Sequence, residues 1–206
     1  MKKLILLIAL MMMLGLTTSA YAFNVYTLTI PQLSALSEVF DSPAGIASLA
    51  STDILSNSVW YEVTISRSTT QFRYILLGNS TLPPITDLTG YTHYGLRFDN
   101  DDDNEALVSV FLKSSGTRYL SSWVDLSYGA SGNALLDLTT LASGGVDLSN
   151  IEEIGLGIAY NGSKKTNGKY QGDTLNILAF PVPEPGSMLL LGMGILGLFG
   201  LGRKKT

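Results

Sequence analysis

The chain has 206 residues, no cysteine and a formal net charge of −4, long enough for one ordinary domain with appendages. The missing cysteines exclude disulfides, cysteine-ligated zinc and thiol nucleophiles. Residues 23 to 183 hold 16 acidic against 8 basic side chains, and an acidic body with no basic stripe argues against a nucleic-acid partner.

The first 22 residues carry Lys2 and Lys3, an apolar run from Leu4 to Leu16, and then Ala20-Tyr21-Ala22. Small residues flanking position 21 suit signal peptidase, so residues 1–22 are expected to be a secretory signal peptide cut after Ala22. The apolar run is too short to cross a bilayer comfortably.

From 23 to 181 the sequence reads as strands and turns. Asn24–Ile30 alternates. Ser58–Ser66 places Val59, Tyr61, Val63 and Ile65 on one face. Gln71–Leu77 is expected to turn Phe72, Tyr74 and Leu76 inward. Tyr94, Leu96 and Phe98 share a face of Thr92–Phe98. Further runs are Ala106–Lys113, Arg118–Leu126, Asn133–Leu138, Ile154–Tyr160 and Asp173–Phe180. Gly, Asn, Asp and Pro bound them, and no long amphipathic helix interrupts. The expectation is all-β: an antiparallel β-sandwich. Pro31–Ile54 reads weakest, with one helical turn expected in Ser34–Phe40.

Three features offer chemistry. Asp99, Asp101, Asp103 and Glu105 lie in the most charged stretch of the body. A solvated hairpin turn is the first reading; a calcium site is the alternative, since Ca2+ takes six to eight oxygens. No other cofactor is implied. Flat rings beside polar groups suit sugar binding, and Tyr119, Trp123, Arg97, Trp60 and Tyr160 are the candidates. Period two would put Tyr119, Ser121, Trp123 and Asp125 on one strand face. His93, the sole histidine, has no Gly-x-Ser-x-Gly elbow for company, so no catalytic residue is assigned.

Residues 182–206 close the chain. Ser187–Gly202 has no charge and as a helix would rise about 24 Å, close to a hydrocarbon core. Arg203, Lys204 and Lys205 would stop it on the cytoplasmic side. The prolines of Pro183-Glu184-Pro185 fix φ and lack amide donors, keeping the tripeptide extended.

Pro183, Glu184, Pro185 and Gly186, then an apolar segment and the basic terminus, resemble a PEP-CTERM protein-sorting tail. That resemblance implies a partner, an exosortase-type membrane transpeptidase. It also implies anchoring in the inner membrane before processing, then release to the cell surface or an exopolysaccharide matrix. Asp87-Leu88-Thr89, Asp147-Leu148-Ser149, Ile154-Gly155 and Gly172-Asp173 resemble the turns and strands of a galactose-binding-like jelly roll, a sandwich common among carbohydrate-binding modules. Together they imply an exported, non-catalytic surface or matrix protein, with a glycan-binding module as the alternative and a glycan-active hydrolase behind both.

Overall fold

Strands account for most of the computed structural model, which describes residues 24–42, 47–65, 74–79, 87–101, 104–160, 165–166, 169–170 and 173–182. The expected signal peptide, the sorting tripeptide, the apolar tail segment and Asp103 lie outside the described residues. Among the described residues no helix is long and apolar enough to cross a membrane. Val25–Val182 form one compact unit.

Two mixed-order sheets face each other. In the first, β6 (His93–Asn100) pairs antiparallel with β10 (Ser131–Asp137) along one edge and with β14 (Asp173–Pro181) along the other. β14 pairs with β4 (Val59–Ile65), and β4 with β3 (Ala47–Ile54). β1 (Val25–Tyr26) runs parallel to the start of β6. The second sheet has the order β2 (Ser37–Ser42), β5 (Tyr74–Asn79), β11 (Ile151–Tyr160), β7 (Ala106–Ser114), with β8 (Thr117–Leu120) and β9 (Val124–Leu126) sharing the far edge of β7. β12 (Lys165–Thr166) and β13 (Lys169–Tyr170) make a small separate ribbon. The result is the expected jelly-roll-like β-sandwich.

Alternation builds the core. Val59, Tyr61, Val63 and Ile65 of β4 and Tyr94, Leu96 and Phe98 of β6 are buried, as their spacing predicts. Opposite them lie Val108, Val110 and Leu112 of β7 and Ile154, Leu156 and Ile158 of β11. Each such side chain contributes about 1.5–3 kcal/mol when fully buried, and with no disulfide this layer carries the fold. Two phenols stitch it. Tyr94 Oη donates to the Gly155 carbonyl at 2.8 Å, joining the sheets, and Tyr61 Oη donates to the Leu33 carbonyl at 2.6 Å. Burial pushes both hydroxyls well above their ordinary pKa.

Several expectations need correction. In β5 it is Ile75 and Leu77 that face the core, because they pair with Ile158 and Leu156; Tyr74 and Leu76 lie on the outer face. The helical turn is α1 (Ile30–Ser34), four residues earlier than expected, and it truncates the first strand to Val25–Tyr26. Thr29 caps it: the Gln32 side chain accepts from the Thr29 amide and hydroxyl, and Pro31 sits in the first turn, where its missing amide costs nothing. Of the residues expected to be helical, Ser37–Phe40 enter β2 instead. A second helix, α2 (Leu138–Ser143), begins where Asp137 accepts from the amides of Thr139 and Thr140.

Candidate functional site

The expected strand Arg118–Leu126 is two strands with one extra residue between them. Leu120 pairs with Phe111, yet Val124 pairs with Val108, so three steps on β7 face four on its partner. Between them Ser121 folds in: its amide donates to the Val110 carbonyl, its Oγ accepts from the Val110 amide and lies 3.0 Å from Ser109 Oγ. An inserted residue reverses which face each later side chain takes. Tyr119, opposite Leu112, therefore packs against the core, while Trp123 lies over the outer face of the second sheet. They do not share a face.

Glycines make that outer face. A Cβ on Gly157 would sit 2.9 Å from Trp123 Cη2 and 3.1 Å from Leu76 Cδ2, and one on Gly78 would meet Glu153 Oε1 at 2.7 Å. Hydrogens there instead of methyls let the rings of Phe111 and Trp123 lie down on the sheet. Trp123 meets Tyr74 at 5.5 Å between centroids, and Tyr74 meets Phe40 at 5.8 Å. Both pairs are tilted, a favoured geometry for aromatic contacts. Phe40 belongs to β2, Tyr74 to β5, and Trp123 to the segment between β8 and β9, so the rings run from one edge of the sheet to the other.

Arg118 crosses the same face. Its guanidinium pairs with the buried Glu153 at 3.1 Å, donates to the Val39 carbonyl at 3.5 Å, and lies 5.5 Å from the Phe40 ring centroid. A cation at that distance from a ring centroid is attracted by its quadrupole. Arg118 Nε is buried and has no hydrogen-bond partner among the described residues.

The other sequence candidates fall elsewhere. Tyr160, at the end of β11, packs against the core. Trp60 and Arg97 are on the outer face of the first sheet. There Trp60 is paired with Leu178, and Arg97 with Phe180, whose ring centroid is 5.1 Å from the guanidinium carbon. Asp99 pairs with Arg97 at 3.1 Å. In the acidic loop, the Asn100 side-chain Nδ2 donates to the carbonyls of Asn104 and Leu126, bracing the turn. Among the described residues, Asp99, Asp101 and Glu105 join no group of three acidic or histidine side chains able to hold a metal. Phe40, Tyr74 and Arg118 are not among the sugar-binding candidates that the sequence offers. Only strand pairing brings them together.

The last strand ends at Pro181, and the Val182 amide donates to Thr27 Oγ1 at 3.0 Å, pinning the exit of the chain beside its entry. From residue 181 to residue 204 the sequence matches the PEP-CTERM protein-sorting motif. The chain carries a PEP-CTERM sorting motif. That motif marks an exported protein sorted by an exosortase and anchored transiently at the membrane. No curated protein matches the chain. Its sandwich is similar in shape to an agarase, AgWH50C (13% identity, 71% of this chain, 24% of that one, TM-score 0.42). It is also similar to the family 11 carbohydrate-binding module from Clostridium thermocellum, solved with a β-1,3-1,4-mixed-linked tetrasaccharide (15% identity, 68% of this chain, 85% of that one, TM-score 0.40). An exo-β-agarase is a third (16% identity, 73% of this chain, 23% of that one, TM-score 0.41). The chain thus spans about a quarter of the length of each agarase.

Proposed function

We propose that this exported protein is a non-catalytic component of the cell surface or its exopolysaccharide, and that it holds a glycan on the outer face of the second sheet. The observation that carries the reading is the strip of three rings, Phe40, Tyr74 and Trp123, running from edge to edge over the Gly157 floor. Sugar rings stack on such surfaces through their C–H faces. Arg118, its side chain partly exposed, and the buried Glu153 that holds it stand beside the strip. The acidic body favours a neutral glycan over a polyanion.

A glycan array, followed by titration of any hit, tests this. Trp123→Ala should weaken binding by roughly 1 kcal/mol or more, the scale of an aromatic contact, with Trp60→Ala on the other sheet as the control that leaves it unchanged. Absence of binding to every neutral glycan, together with retention of the protein in the matrix, would replace this reading with a purely structural one.

A further inference from the structure

The three rings on the outer face of the second sheet do not lie in one plane. Tyr74 is turned 36° from Phe40, and Trp123 59° from Tyr74, at centroid steps of 5.8 and 5.5 Å. The steps follow from the sheet. Phe40 and Tyr74 stand on the paired strands β2 and β5, the indole reaches over Gly157 of β11 next to them, and neighbouring strands lie about 4.8 Å apart. Each step is close to the length of one pyranose residue in a chain. Successive rings are thus spaced to meet successive sugars, and the turn between rings becomes a demand on the ligand.

That turn is built into the fold. The indole of Trp123 rests against the Gly157 backbone, with Leu76, only 1% exposed, packed beside the same spot. Phe40 has the Arg118 guanidinium 5.5 Å from its ring centroid, a cation–π contact, and the buried Glu153 holds Arg118 at 3.1 Å. Tyr74 stands between the two outer rings. Flattening the strip would break these contacts. Phe40 is nevertheless 39% exposed, and Tyr74 and Trp123 are partly exposed, which leaves ring surface for a ligand.

We infer that the strip selects a neutral glycan whose backbone coils, of the kind a β-1,3-linked glucose chain makes, over a flat ribbon. This rests on the reading of the strip as a glycan platform. In a β-1,4-linked glucose chain both bridging bonds are equatorial and nearly antiparallel, so the chain runs straight and successive sugar planes stay close to parallel. Such a ribbon lays a sugar face on one ring and meets the next at a mismatch of 36° or 59°. A 1,3-linkage sets the two bonds at an angle to each other, so the chain winds and each sugar plane is turned relative to the last. That rotation follows the rings. The platform is already ordered, so the fit costs the protein little conformational freedom. Discrimination then comes from three stacked sugars against one.

Laminarihexaose and cellohexaose test this directly, since both are neutral chains of six glucoses that differ only in linkage. Calorimetric titration of the full chain, held in a zwitterionic detergent, should show laminarihexaose binding about tenfold or more tighter, the scale of two additional aromatic contacts. Phe40→Ala and Trp123→Ala should each weaken laminarihexaose by about threefold or more. Phe40 is the more exposed of the two, and its variant keeps the test open where Trp123→Ala fails to fold. A preference for laminarihexaose that survives unchanged in both variants overturns the strip as its source. Cellohexaose binding equally or more tightly, or neither hexasaccharide binding while an array returns another neutral glycan, overturns the coiled selection and leaves the platform standing. Absence of binding to every neutral glycan overturns both.

Discussion

The Leu88 amide donates to the Leu148 carbonyl at 2.8 Å, tying together two turns of the same design. Asp87-Leu88-Thr89 and Asp147-Leu148-Ser149 each bend around an aspartate that accepts from the amide and hydroxyl two residues on. Each leucine is buried in the core. The pair closes one end of the sandwich, where β6 begins and β11 begins. Leu88→Ala should therefore cost about 2–5 kcal/mol in urea unfolding, the range for a buried leucine that leaves a cavity.

The same turns set an acid limit. The carboxyl of Asp87 is held below its ordinary range by the Thr89 amide and then its hydroxyl. For Asp147 the Ser149 hydroxyl and amide do this, for Asp137 chiefly the hydroxyls of Thr139 and Thr140, and for Glu152 the Gly116 amide and then Lys113. A carboxyl with a lower pKa folded than unfolded stabilises the fold fully above the unfolded value, about 4, and loses that contribution as pH falls through the lower folded value. The urea midpoint should be level between about pH 5 and 7 and decline below about 4. Asp137→Ala, which removes the strongest of these shifts, should flatten the decline. An unchanged slope in that variant would show that Asp137 does not contribute.

How far the sequence discloses this structure depends on whether one face of a strand is polar. β4 and β6 alternate against solvent, and their inward residues can be named from spacing alone. β5 cannot be resolved that way, because Tyr74, Ile75, Leu76 and Leu77 are apolar on both faces; only pairing with β11 decides that Ile75 and Leu77 go in. The Tyr119–Trp123 relation fails for a different reason. The extra residue around Ser121 is a property of β7 and its partners together, and no local signal marks it. α2 was hidden because Asp137 serves both as the last residue of β10 and as the cap of the helix. As for the site, Trp123 stands out in sequence by its type. Phe40, Tyr74 and Arg118 come from three separate strands, and nothing short of the sheet order assembles them.

Gly155 is a sharp test of the glycine floor. A Cβ there would collide with the Leu77 carbonyl oxygen, and would also sit 2.8 Å from the Gly78 Cα and from Phe111 Cε1. Two of those three atoms are backbone in the neighbouring strand, which cannot rotate away. Gly155→Ala should lower stability by about 1–3 kcal/mol or more, as overpacking does. Gly90→Ala meets nothing within 4 Å and should change stability by less than about 0.5 kcal/mol. Equal melting temperatures for the two variants would remove the steric argument.

The Arg118–Glu153 pair separates structure from binding at the proposed glycan strip. Glu153 is buried and Arg118 mostly so, so removing either partner leaves a charge with little water to solvate it. Glu153→Ala should cost about 3–5 kcal/mol, whereas replacing both residues by methionine should recover most of that loss, since apolar pairs of similar volume often substitute for buried ion pairs without penalty. The double variant keeps Phe40, Tyr74 and Trp123 in place but lacks the guanidinium. If the rings alone hold the sugar, its affinity for a glycan hit should equal that of the parent protein. If Arg118 donates to a hydroxyl, affinity should fall by about 1.5–3 kcal/mol, the scale of a hydrogen bond from a charged donor, with stability unchanged. Unfolding and glycan titration on the same three proteins give both numbers.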